Sequence, residues 1–238
     1  MQDVPVPTTC IDGIELYYEI QGTGSPVLVI PGLGSDMRMF SWLVTAIADR
    51  RRVLVMDPRG SGRSAKPRPP YSIDQMADDA VAVLQAAGMN SATVLGYSMG
   101  GRIALSLALR HTDRVKSLVL AATSARTLPV RPFTWRWFVM DVLSQIPLPR
   151  SIDPQPRYAQ IGQRQATREF DCTAELGHIT VPTVVIHARN DHMTPFDLAE
   201  ELQQAIPGAR LVAVAGGHLS LLRRERESLL DAVLAASD

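Results

Sequence analysis

The segment Gly96-Tyr97-Ser98-Met99-Gly100 holds a serine with glycines two residues before and two after it. A serine hydroxyl is a weak nucleophile until a neighbouring base takes its proton. The chain must then supply a histidine and, behind it, a carboxylate that fixes the imidazole tautomer. Of the five histidines, His218 follows Gly216-Gly217, and those glycines free its loop to approach Ser98. His111 closes a helical stretch, where a cation complements the helix dipole. His178 reads as a surface residue, and His187, at a strand end near the active edge, as packing or as a residue lining the site, while His192 sits in a loop where it could touch substrate. Asp191 is the carboxylate expected to orient His218. Asp57 is the rival, but it opens the glycine-rich turn Pro58 to Ser64 and is expected to hold that turn's backbone and Arg59. Asp197 falls in a first helical turn, where its charge has a structural use. Attack on a carbonyl creates an oxyanion that needs preorganised amides. The Met99 amide at a helix N-terminus is one candidate, and the Leu33 amide in Pro31-Gly32-Leu33-Gly34 is the other.

The elements that must position these groups are readable from periodicity. Val27 to Ile30, Val53 to Met56, Ala92 to Leu95, Val115 to Leu120, Pro182 to His187 and Leu211 to Val214 are short apolar runs, the pattern of strands buried on both faces of a parallel sheet. Helical patterns lie between them. Ser72-Ile-Asp-Gln75 reads as a capping box opening a helix to Ala87, with Gly88 as its stop. Met99 to Arg110, Pro195 to Ala205 and His218 to Ala236 are the further helices. Asp12-Gly13, between two extended runs, predicts a tight hairpin. Together these predict an α/β fold: a mostly parallel, doubly wound sheet of about eight strands, with an N-terminal antiparallel hairpin and helices on both faces. The serine then sits on a sharp strand-to-helix turn at the carboxyl edge of the sheet, where such sheets bind ligands.

Ser124 to about Phe170 breaks this rhythm, with recurrent prolines and no strand pattern. It is too long for an ordinary connection and is expected to be a short helical lid, dividing the chain into a core (1–123 and 171–238) and an insertion (124–170). Trp135 and Trp137 cluster there and could supply an apolar pocket. The segment holds seven arginines against three acids. One or two of them, with Arg102, could bind a substrate carboxylate, although a solvated lid surface explains them as well.

Composition excludes several classes. The 238 residues carry 24 basic and 24 acidic side chains, so the field of a general nucleic-acid binder is missing. Aromatics are only 5%, too few for a base-stacking platform. No apolar run approaches the length of a membrane helix, and the opening residues lack the layout of a signal peptide. Cys10 and Cys172 read as two reduced thiols, with one long-range disulfide between them as the alternative. A protein with no nucleic-acid or membrane partner, located in the cytoplasm, is the expectation. The glycine turns match neither a dinucleotide nor a P-loop pattern.

In their order, Pro31-Gly-Leu-Gly, Asp57-Pro-Arg-Gly-Ser-Gly-Arg-Ser64, Gly96-Tyr-Ser-Met-Gly-Gly, Asp191 and Gly-Gly-His218 resemble the α/β-hydrolase fold family over nearly the whole chain. The resemblance implies a nucleophile at Ser98, an acid at Asp191 and a base at His218, in the family's chain order. Asp57 to Ser64 and Leu118 to Arg126 are similar to enol-lactonases and small carboxylesterases. This implies an ester or lactone hydrolase working through an acyl-enzyme on Ser98, with no metal or organic cofactor. Gly96 to Arg102 also resembles a menaquinone-pathway synthase that eliminates pyruvate with the same three residues. In that family the equivalents of Tyr97 and Arg102 help to hold an anionic substrate. A lyase of that kind and a non-catalytic small-molecule receptor are the alternative readings. The family often has histidine where this chain has Pro31, which leaves open how the oxyanion turn is braced, though not its amides.

Overall fold

The computed structural model describes residues 8–128 and 153–237. Trp135, Trp137 and most of the expected lid lie outside the described residues. Strands β1 (Thr8–Ile11) and β2 (Ile14–Gln21) form the expected hairpin, with Ile11 opposite Ile14. Asp12 and Gly13 both have positive φ, 50° and 75°, the conformation that matches a two-residue turn to the twist of its strands. The remaining strands are β3 (Pro26–Ile30), β4 (Arg52–Met56), β5 (Ala92–Tyr97), β6 (Val115–Ala121), β7 (Thr183–Ala188) and β8 (Arg210–Val214). Each extends its expected run by one or two residues except β7, which is the run Pro182 to His187 shifted by one residue.

Among the described residues the strands make one eight-stranded sheet in the order β1-β2-β4-β3-β5-β6-β7-β8. Strand β2 pairs antiparallel with both of its neighbours, β1 and β4, and every pairing from β4 to β8 is parallel. The chain runs from β3 outward to β4, then returns to place β5 on the other side of β3. The order therefore reverses between β3 and β5, the crevice where open parallel sheets bind ligands. The turns after these two strands carry Leu33 and Ser98.

Alternate residues of each strand enter the two cores. Leu28, Ile30, Leu54 and Met56 meet α2 (Ile73–Ala86), α3 (Met99–Arg110) and α5 (Phe196–Ala205) on one face. Val27, Val29, Val53 and Val55 meet α1 (Ser41–Ala48) and α6 (Arg226–Ala236) on the other. Ser72 caps α2 as expected, its Oγ accepting the Gln75 amide at 3.0 Å. The final helix differs. It begins at Arg226 rather than at His218, because residues 218–225 fold as a turn held by the Gly217 and Glu225 amides on Ser220. Arg223, with φ −131° and ψ −85°, interrupts the helical path.

Within the expected insertion, α4 (Arg157–Glu169) lies between α3 and β7 in the chain and is seated on the first core. Its inward face is Ala159, Gly162, Gln163 and Ala166. The small residues allow close approach: a Cβ at Gly162 would lie 3.0 Å from the Tyr71 ring.

A buried ion pair ties α2 to the turn after β4. Arg59 Nε and Nη2 donate to Asp79 at 2.6 and 2.5 Å, and both side chains are almost fully buried. Removing one partner strands a buried charge. Asp79→Ala should therefore lose about 3–5 kcal/mol in urea unfolding; an unchanged midpoint would contradict the pair's role.

Candidate active site

The last residue of β5, Tyr97, leads directly into Ser98, whose backbone takes φ 54° and ψ −116° before α3 begins. A serine at positive φ is strained. The strain persists because neighbouring backbones fix the turn. The Ser98 amide donates to Ala121 O at 2.9 Å, and Ser98 O accepts the Gly101 amide at 2.9 Å and Thr123 Oγ1 at 2.6 Å. The flanking glycines are steric necessities. A Cβ at Gly96 would run into the backbone of Gly100 and Gly101, and one at Gly100 into the Ile30 and Pro31 carbonyls.

His218 Nε2 lies 3.1 Å from Ser98 Oγ, and His218 Nδ1 lies 2.7 Å from Asp191 Oδ2. Three loops, after β5, β7 and β8, thus bring the three sequence-predicted residues into one hydrogen-bonded relay. Asp191 is buried and saturated with donors. Its Oδ1 accepts the Met193 and Thr194 amides at 2.8 and 2.9 Å. Burial opposes its charge, but hydrogen bonds from His187 and His218, the charge of His218 and the Thr194 amide outweigh it. They hold the carboxyl well below the usual carboxylate range. Facing a carboxylate, His218 Nδ1 carries the proton, which leaves Nε2 as the acceptor for the Ser98 hydroxyl.

His187 is the residue that sequence reasoning undervalued. It is fully buried, with Nε2 at 2.8 Å from Thr194 O and 3.4 Å from Asp191 Oδ2. Donation to a carbonyl places its proton on Nε2, and its Nδ1 has no partner among the described residues. Its position four residues before Asp191, at a strand end, was the available signal.

The turn after β3 abuts the serine. A Cβ at Gly32 would lie 3.2 Å from Ser98 Cβ, so the Leu33 segment stands beside the Ser98 side chain. Met99 opens α3, where the first amides have no carbonyl partner within the helix. Both expected oxyanion donors therefore flank Ser98.

Three other sequence-derived candidates take different positions. Tyr97 is buried beneath the site, with its ring 5.6 Å from that of His218 and its hydroxyl donating to His218 O. Burial and the charge of Asp191 push its phenol up, so it stays a donor. Through these contacts it supports the histidine loop. Arg102 also departs from the anion-binding role implied by resemblance. Its Nη1 donates to Thr127 Oγ1 at 2.8 Å and to Thr167 O, and its Nη2 donates to Ser124 Oγ and Arg126 O at 2.8 Å each. Both terminal nitrogens are thus committed to the two ends of the insertion, and burial pushes the guanidinium down to about 10. The departure arises because α3 is buried all round, so residue 102 meets the chain entering and leaving the insertion. His192 is exposed in the loop after Asp191.

The rivals have structural positions. Asp57 accepts the Met37 and Arg63 amides at 2.8 Å each, so it holds two turns, whereas Arg59 goes to Asp79. His111 Nε2 sits 2.7 Å from Asp78. Cys10 and Cys172 are free thiols, exposed and buried respectively.

With the fold and this geometry in place, comparison with known proteins is direct. A family model described as alpha/beta hydrolase fold matches residues 25–142. A protein of Azorhizobium caulinodans, named as a carbamate hydrolase, RutD, is 30% identical over 85% of this chain and 87% of its own. The chain belongs to the α/β-hydrolase fold family. Among solved structures, a hydrolase from Pseudomonas aeruginosa PA01 superposes with a TM-score of 0.86 at 26% identity, covering 98% of both chains. The enol-lactonase from Burkholderia xenovorans LB400 gives 0.83 at 27% identity, covering 97% of this chain and 99% of its own. No helix among the described residues is long and apolar enough to cross a membrane.

The depressed Asp191 carboxyl sets a pH dependence of stability. A carboxyl lowered in the folded state contributes stability that is complete above its unfolded pKa, about 3.9, and is lost as pH falls through the folded value. The stability gap between wild type and Asp191→Asn should therefore shrink as pH is lowered from about 5 to below about 4. Urea midpoints across this range check it, and a gap that grows on acidification would contradict the assignment.

Proposed function

We propose that the protein is a serine hydrolase of small carboxylic esters or lactones, with Ser98 as nucleophile, His218 as general base and acid, and Asp191 as the residue that orients His218. The observation that carries this reading is the continuous relay from Asp191 through His218 to Ser98 Oγ, at 2.7 and 3.1 Å. In the first step Ser98 Oγ adds to the carbonyl carbon, its proton passes to His218 Nε2, and the carbonyl electron pair moves onto oxygen. The Leu33 and Met99 amides hold that oxyanion. When the tetrahedral intermediate collapses, the alcohol leaves with the proton from His218, and Ser98 keeps the acyl group. Water then repeats the steps: His218 takes its proton, its oxygen joins the acyl carbon, and the acid departs as Ser98 regains its hydrogen. The chemistry requires neither metal nor organic cofactor. Leu128, Met193 and Leu219 stand exposed on loops after β6, β7 and β8, which favours an uncharged, apolar substrate portion.

A carbamate carbonyl would pass through the same steps, and the name of the Azorhizobium caulinodans relative favours including it. The elimination reading loses support from Arg102, whose terminal nitrogens serve the insertion. A receptor role is disfavoured by the intact relay, which binding alone does not need.

Ser98→Ala should lower kcat/KM for a small aryl ester on the order of 10⁴-fold or more and abolish covalent labelling by a fluorophosphonate. Wild-type turnover in that variant, or an unlabelled wild type, would refute the mechanism. A panel of aryl esters, lactones and carbamates ranks the substrate class. Arg102→Met should change KM for anionic and neutral esters by the same factor. A selective rise for anionic esters would restore the carboxylate-binding role.

A further inference from the structure

We infer that Gln163, on α4, is a positioning residue for the oxyanion turn, fixing the Leu33–Gly34 peptide so that the Leu33 amide is held beside Ser98. The inference rests on the serine-hydrolase reading above and names a residue that reading does not use.

Gln163 is fully buried on a helix face otherwise made of alanine and glycine. A buried side-chain amide must have its hydrogen-bonding capacity met, and all four of its valences are used. Its Oε1 accepts the Gly34 amide at 3.1 Å and Gln155 Nε2 at 2.8 Å. Its Nε2 donates to Arg59 O at 2.8 Å and Ser61 Oγ at 3.0 Å. Reversing the amide would set a donor against the Gly34 N–H and an acceptor against Arg59 O, so these partners fix its orientation.

What Gln163 grips is itself rigid. Arg59 is locked to Asp79, and the other end of the same turn is held by Asp57 through the Arg63 amide. Gln163 thus transfers a fixed reference in the turn after β4 to the turn after β3. The Leu33 N–H belongs to the Gly32–Leu33 peptide, whose carbonyl accepts Ser35 Oγ at 2.9 Å and the Ser35 amide at 3.2 Å. The following peptide is held by Gln163 through Gly34. With the planar units on both sides of Leu33 fixed, its amide direction is set before any carbonyl arrives. Pro31 provides no side-chain hydrogen bond for this turn, and Gln163 takes on the bracing from across the crevice.

Oxyanion donors act on the transition state far more than on bound substrate, so loosening the Leu33 amide should appear in kcat. Gln163→Glu keeps the shape but loses the Nε2 donor. Gln163→Met keeps the bulk and loses every polar contact. In either folded variant kcat for an aryl ester should fall about 10- to 100-fold, with KM within about threefold. The inhibition constant of an aryl trifluoromethyl ketone, which adds Ser98 Oγ to its carbonyl and leaves an oxyanion in the same place, should rise by a similar factor. Gln165→Ala, an exposed neighbour on the same helix, should leave these values unchanged. Folded variants with wild-type kcat, or with equal changes in kcat and KM and an unchanged ketone affinity, would overturn the inference. Hydrogen exchange in the wild type decides the matter should neither variant fold: the Gly34 amide should exchange as slowly as β5 amides, and rapid exchange there would overturn it. Failure of fluorophosphonate labelling at Ser98 would instead remove the hydrolase reading, leaving the exchange measurement to report on the clamp alone.

Discussion

The site depends on one steric constraint, the close packing of the β5–α3 turn against the end of β3. Gly100 lies where a side chain would strike the Ile30 and Pro31 carbonyls, and Gly96 where one would strike Gly100 itself. Only with both side chains absent can α3 start so close to the sheet, and only then does Ser98 take its positive φ. The consequences are geometric. The hydroxyl stands at the reversal point of the strand order, the helix N-terminus lies beside it, and the Leu33 turn is in contact with it. Stabilisation gathered in the surrounding sheet offsets a backbone strain of about 1–3 kcal/mol at the turn.

A second layer of support surrounds the acid. Asp191 receives two backbone amides and two histidine N–H groups, one of them the weaker 3.4 Å contact from His187. Each donor favours the carboxylate over the neutral acid, so a buried group remains charged where burial alone would neutralise it. Tyr97 completes the arrangement from below by holding the carbonyl of His218. The imidazole is thereby fixed on both sides, by its ring nitrogen and by its own backbone, and it presents a single face to Ser98.

Much of this was legible in the residues because buried parallel strands and their terminating glycines follow strong local rules. Val27 to Ile30 or Ala92 to Leu95 have few other options, and a serine, an aspartate and a histidine at the carboxyl ends of such runs must converge. The illegible parts concern direction. Arg102 lies on a helix buried all round, so its sequence position does not tell whether it meets substrate or the chain ends at Thr127 and Thr167. Tyr97 is the final strand residue, and its face depends on the turn that follows. The His218 to Ala236 periodicity runs on through a segment whose path is set by Ser220 side-chain and backbone bonds rather than by helical ones. Gln163 did leave a signal: a lone amide among Ala159, Gly162 and Ala166. That signal acquires meaning only once the partner turn is known.

The seating of α4 also bears on how this chain can be recombined with others of its fold. Insertions between the sixth and seventh strands are natural units to exchange, and the sequence rhythm suggests a junction near Asp171. A graft cut there would replace Gln163 together with the small residues around it, taking from the Gly34 amide its Oε1 acceptor and from the buried Ser61 hydroxyl its Nε2 donor. A junction placed before Arg157 keeps the helix with the body that needs it. In chimeras, the working boundary between exchangeable cover and indispensable scaffold lies one helix earlier than the change in strand rhythm indicates.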